Sequence, residues 1–104
     1  MSNSKKHNRK SFQKKGFKEE LTVNKDNLLE EQAMNLLKDG KMIEAERIYK
    51  QLIAKGTNNY IVYGNLAVLL GINGNINQMI DLLKKALDYN PNYAEGYYNL
   101  GNAY

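Results

Sequence analysis

The feature that most constrains this chain is its likeness to itself at an offset of 34 residues. Asn24, Asn58 and Asn92 are so spaced, as are Ala33, Ala67 and Gly101, and Leu36, Leu70 and Tyr104. In the same register Gly40 pairs with Gly74, Tyr63 with Tyr97, and Leu66 with Leu100. Self-similarity at a fixed period means one small structural unit used repeatedly, each copy burying its apolar face only against its neighbours.

Helical spacing fills the intervals. Leu29, Ala33, Leu36 and Leu37 share one helix face and Gly40 stops it. Ile43, Ala45, Ile48, Tyr49, Leu52 and Ile53 form a second stripe that ends near Gly56. The cycle then recurs. A helix is predicted over 60–72, a break at Gly74, and a helix over 76–89 that ends at Asn90-Pro91. The residue before a proline is pushed out of the helical region, which supports that end. A fifth helix is predicted from near Ala94 to Tyr104. Asn24, Asn58 and Asn92 are expected as N-caps, with Glu95 completing a capping box with Asn92. Gly40 and Gly74 are expected to end helices, where the chain must visit a left-handed conformation.

Two helices per 34 residues is the layout of the tetratricopeptide repeat, and the residues resemble that family. With repeats at 26–59, 60–93 and 94 onward, the small first-helix position falls at Ala33, Ala67 and Gly101, and the turn glycine at Gly40 and Gly74. Ala45 and Tyr49 take the small and aromatic places of the second helix. Tyr63, Leu66, Ala86, Pro91, Tyr97 and Leu100 complete the signature. Met79 stands where the second repeat should have its small residue, Leu83 replaces its aromatic, and Thr57 replaces the first repeat's closing proline. The resemblance implies an all-α, right-handed helix-turn-helix solenoid of about two and a half repeats over 24–104. It also implies a groove lined by the first helices, where partners bind.

Charge divides the chain. Residues 1–18 hold seven of the 15 basic residues and no acid, leaving eight against all 11 acids, so residues 19–104 sum to −3. Residues 1–22, poor in large apolar side chains, are expected to form a disordered basic tail. Nucleic-acid or anionic-membrane contact by that tail ranks below a solubilising role, because Phe12 and Phe17 alone are thin aromatic interleaving. The repeats are mildly acidic, which argues against a nucleic-acid-binding domain.

Catalytic chemistry lacks its parts. There is no cysteine, the single histidine is His7 in the tail, and no serine lies in the repeats. No catalytic residue, metal or cofactor is expected there. The absence of cysteine favours a reducing compartment, so a cytoplasmic location is expected.

The candidate site is the groove. Asn65 and Asn99 are again 34 apart. Asn65-Leu66-Ala67 and Asn99-Leu100-Gly101-Asn102 resemble the repeats of O-linked N-acetylglucosamine transferase-like proteins. There an asparagine ladder holds an extended peptide by its backbone. A carboxamide offers donor and acceptor alike, so it can pair with a peptide unit without reading side chains. Asn65, Asn99, Asn102 and Tyr98 are the expected groove residues, with Glu31 breaking the ladder in the first repeat. A two-carboxylate clamp for a C-terminal tail is not expected, because Glu30, Glu31 and Glu95 would repel it. The expected function is a protein-interaction scaffold for an extended peptide; the alternative is the substrate-binding arm of a larger, glycosyltransferase-like enzyme. Tyr97, Leu100 and Tyr104 are expected to show an uncapped apolar face, so the natural chain is expected to continue, and residues 1–104 alone to be weakly stable or to self-associate.

Overall fold

The computed structural model describes residues 25–104, and all described regular structure is helical. Helix α1 covers 25–38, α2 Met42–Ala54, α3 Tyr60–Ile72, α4 Ile76–Tyr89 and α5 Ala94–Ala103. The basic tail, His7 and the cap expected at Asn24 lie outside the described residues. Helices α1 and α2 form one hairpin, α3 and α4 the next, and α5 opens a third. The architecture is an all-α helical-repeat solenoid.

Three glycines build the turns. Gly40, Gly56 and Gly74 have φ of 77°, 91° and 86°. At each, two hydrogen bonds close the preceding helix. Gly40 N–H donates to Leu37 O and Lys41 N–H to Leu36 O; the same pair recurs as Gly56 to Ile53 with Thr57 to Leu52, and as Gly74 to Gly71 with Asn75 to Leu70. This is the Schellman arrangement, which needs a left-handed residue at the turn. The fourth helix end differs. Asn90 leaves α4 in an extended conformation ahead of Pro91, and its side chain accepts from Asn92 N–H at 3.1 Å.

The helix starts correct one expectation. Asn58 and Asn92 are not the caps; each lies one residue too early. Asn59 caps α3, its side chain accepting from Ile61 N–H at 3.1 Å. Tyr93 precedes α5 without a side-chain cap, so no capping box forms between Asn92 and Glu95.

The core runs between the hairpins. Ala33, Ala45, Ala67 and Ala86 are fully buried, which lets helix backbones approach closely. Tyr49, Leu52, Val62, Leu66, Leu69 and Leu70 cluster with Ala33 and Ala45. Helix α3 is apolar nearly all round and buries Val62, Tyr63, Gly64, Leu66, Ala67, Leu69 and Leu70, as a helix flanked on several sides must. Helix α4 buries only one stripe, through Leu83 and Ala86. Gly101, the third small position, is exposed, and no described helix packs on it.

The hairpin stays closed at Met79 despite the missing alanine. Met79 Sδ sits over Gly71, 2.5 Å from where a β-carbon there would be. The first repeat has Leu37 and Ala45 at these two registers, with Leu37 packed on the cluster that contains Ala45. Large against small in one hairpin becomes small against large in the next, and methionine's flexible thioether suits the exchange.

Candidate functional site

Two adjoining hollows form a groove across the first helices of the hairpins. One, of about 370 Å³, is lined by Asn27, Glu30, Glu31 and Met34 of α1, Tyr49 of α2, and Asn59, Ile61, Val62 and Asn65. The other, of about 440 Å³, lies between Met34, Tyr60, Ile61 and Asn65 on one side and Asn90, Asn92, Tyr93, Ala94 and Glu95 on the other. Met34, Ile61 and Asn65 belong to both, so Asn65 stands at the middle of the groove.

Asn65 is held in place by the scaffold. Its side-chain N–H donates to the Tyr49 hydroxyl at 3.0 Å and approaches Met34 Sδ at 3.3 Å. The nitrogen is thus occupied, and the carbonyl oxygen is the end with no partner among the described residues. Tyr49 comes from the second helix of the first repeat, so the hydroxyl reaches across the core to the groove floor. Burial raises the Tyr49 pKa above its ordinary value, against the hydrogen bond donated by Asn65 and reinforced by the charge of Glu30.

The groove rims are quasi-equivalent. In the first hollow the Asn59 side chain donates to Glu30 Oε2 at 3.0 Å. In the second, Tyr93 takes the register of Asn59 and Gly64 that of Glu30. The Tyr93 ring lies over Gly64, and a β-carbon there would meet ring carbons at 2.9 Å. Tyr93 also meets Tyr60 edge to face with centroids 5.0 Å apart. Burial raises the Tyr93 pKa, followed by the charge of Glu95 and the neighbouring Tyr60.

The expected site residues fall in different places. Asn65 is central. Asn99 is half-buried, while Asn102 and Tyr98 are exposed, Tyr98 at 71%. None of these three lines the two hollows. They hold the registers of Glu31, Met34 and Glu30, so they extend the same face along α5. Asn99 lacks what fixes Asn65, because Leu83 stands in the register of Tyr49 and carries no hydroxyl.

Reasoning from residue identity passed over Asn27, Ile61 and the role of Glu95 as a set. They are 34 apart, and all three line the groove. They differ in type, so a search for matching residues misses them; register alone would have found them. Tyr60 and Tyr93 together wall the second hollow.

Among the described residues both hollows contain carboxylates and no lysine or arginine. Among the described residues the ion pairs are Lys50 with Glu46 at 3.0 Å and Lys55 with Asp26 at 3.7 Å, and no described cation pairs with Glu30, Glu31 or Glu95. No described group of three His, Cys, Asp or Glu side chains could hold a metal ion. No described helix is long and apolar enough to cross a membrane.

Residues 70–104 match a family model described as TPR repeat. Among solved structures, the first TPR of Spaghetti (RPAP3) bound to an HSP90 peptide, SRMEEVD, is similar with a TM-score of 0.67 at 22% identity. That match covers 75% of this chain and 63% of the other. The Sgt2 TPR domain from Aspergillus fumigatus is similar with a TM-score of 0.66 at 19% identity, covering 76% of this chain and 52% of that one. The chain thus spans less than two thirds of either structure, and at these identities the likeness is one of fold. No curated protein matches the chain.

Proposed function

We propose that this chain, whose repeats support the tetratricopeptide-repeat family, is an interaction scaffold that holds an extended peptide segment in the groove centred on Asn65. One observation carries the reading: the Asn65 carboxamide is oriented from below by the Tyr49 hydroxyl, its oxygen having no partner among the described residues. A carbonyl oxygen fixed at the middle of an open groove can accept from a peptide N–H whatever the side chain. Tyr60, Tyr93, Met34 and Ile61 supply apolar wall on either side, and ordered aromatics give contact area at low entropic cost.

The similar Spaghetti structure holds a peptide ending in two glutamates, a valine and an aspartate. The present groove is unsuited to such a tail, because Glu30, Glu31 and Glu95 meet it with like charge. Asn99, Asn102 and Tyr98 continue the proposed contact surface beyond the second hollow.

The test is a peptide-display selection against the full chain, followed by affinity measurement for the best peptide. Asn65→Ala is expected to weaken binding about five- to tenfold, the cost of about 1 kcal/mol for one hydrogen bond. N-methylating the peptide amide that Asn65 accepts from should cost a similar factor, and combining both changes should cost little more than either alone. Full affinity in Asn65→Ala would overturn the reading.

A further inference from the structure

We infer that the chain's own basic leader, residues 5–18, occupies this groove in cis and competes there with the partner segment. The inference rests on the reading of the groove as a seat for extended segments.

Charge complementarity is its first support. Among the described residues the groove presents Glu30, Glu31 and Glu95 with no lysine or arginine in its lining. Among the described residues Glu30 is hydrogen-bonded only to the neutral Asn59. Its field is felt at Tyr49, as that of Glu95 is at Tyr93. The leader is the opposite: Lys5, Lys6, Arg9, Lys10, Lys14, Lys15 and Lys18, with no acid among them. Phe12 and Phe17 alternate with these cations. A segment of that pattern can set cations against the carboxylates and aromatic faces against Tyr60 and Tyr93.

Connection is the second support. Lys18 precedes Lys25, where α1 is already helical, by seven residues. Seven residues span at most about 25 Å. Asn27, two residues further, lines the first hollow, so the described chain begins at the groove's own rim. A short connection of this kind gives an effective concentration on the order of millimolar. A leader whose affinity as a free peptide is only about 1 mM would then occupy the groove much of the time.

The experiment uses the full chain, which has no cysteine, so Ser11→Cys gives a single attachment point for a nitroxide. In isotope-labelled protein at about 50 mM salt, the amides of Glu31, Met34 and Ile61 and the side-chain amide of Asn65 should lose at least about half their intensity. They should recover at about 0.5 M salt, where the screening length falls below about 5 Å. They should also recover in Glu30→Gln/Glu31→Gln/Glu95→Gln, which keeps the hydrogen-bond acceptor for Asn59. No broadening, or broadening unaffected by the triple change, would overturn the inference. Broadening that fades on tenfold dilution would overturn it in favour of a second copy's leader.

A second measurement separates this from the peptide reading. A full chain with all seven leader cations changed to Gln should bind a synthetic peptide of residues 5–18 about three- to tenfold more tightly than the unaltered chain does. Equal binding, or none by either chain, overturns cis occupancy. The peptide reading is decided separately, by the selected peptide and Asn65→Ala. If the leader instead engages nucleic acid or anionic vesicles while the groove amides stay sharp, the inference also fails.

Discussion

The first repeat and the second solve the same geometric problem with different side chains. At the groove rim, Asn59 hydrogen-bonds Glu30 in the first hollow, while Tyr93 covers Gly64 in the second. In the hairpin core, Leu37 and Ala45 are matched by Gly71 and Met79. At the groove floor, Asn65 leans on Tyr49, while Asn99 has Leu83 in place of that tyrosine. In each case the register is kept and the chemistry is exchanged. The repeat is therefore a unit of backbone geometry and total volume. The individual residue is free to change as long as its partner changes with it.

The core exchange should give the largest effect when broken. Ala45 is fully buried, so Ala45→Met alone overpacks the first hairpin by about 1–3 kcal/mol. Leu37→Gly alone should cost about 2–4 kcal/mol through lost burial, cavity and helix propensity. The double variant transplants the second hairpin's solution into the first. It should be more stable than the sum of the single costs predicts by at least about 1 kcal/mol, read from urea denaturation midpoints. Strict additivity would mean that the two hairpins do not share one volume rule.

A smaller effect should separate Tyr63 from Tyr97, which share a register but not a setting. Tyr63 is 3% exposed and Tyr97 is 55% exposed. The Tyr63 hydroxyl donates to Thr57 O at 2.7 Å. Tyr63→Phe should therefore lower stability by about 1 kcal/mol, leaving a carbonyl without its partner. Tyr97→Phe should fall within about 0.5 kcal/mol of the unaltered chain. Equal losses in urea denaturation would sink the distinction.

The smallest effect is a pH dependence. Burial raises the Tyr49 pKa in the folded chain above its ordinary value of 10.0. Above that ordinary value the unfolded chain loses the phenolic proton while the folded chain retains it. Stability is thus fully present below pH ~10 and declines as pH rises toward the folded pKa. Tyr49→Phe should flatten that decline between about pH 9 and pH 11, followed by denaturant midpoints. It should also loosen Asn65 and lower affinity for the selected peptide, whereas Leu83→Tyr should not weaken it. An unchanged pH profile in Tyr49→Phe would show that Tyr49 carries none of the dependence.

Much of the architecture was legible in the sequence because a repeat states its rules more than once. Helix α3 and helix α4 were bounded correctly from the apolar stripe, the turn glycine and Pro91. Gly40 and Gly74 were legible because only a residue without a β-carbon adopts their backbone angles cheaply. The start of α3 was misplaced by one residue, since Asn58-Asn59 offers adjacent side chains of equal capping strength, and α5 begins after Tyr93 with no side-chain cap. Which asparagine caps depends on where the turn delivers the backbone.

Asn65 was legible because its type recurs with its register. The set Asn27, Ile61 and Glu95 was not, because groove membership is set by the direction of the helix face and leaves residue type open. By itself the sequence determined the period, the helical class and the sign of charge on the leader and on the repeats, because these follow from local spacing and composition. Only the tertiary structure decided that the Tyr49 hydroxyl supports Asn65, that Met79 fills the notch over Gly71, and that Tyr93 lies on Gly64. Each of these joins residues from different helices, and the meeting of two side chains depends on how the helices pack.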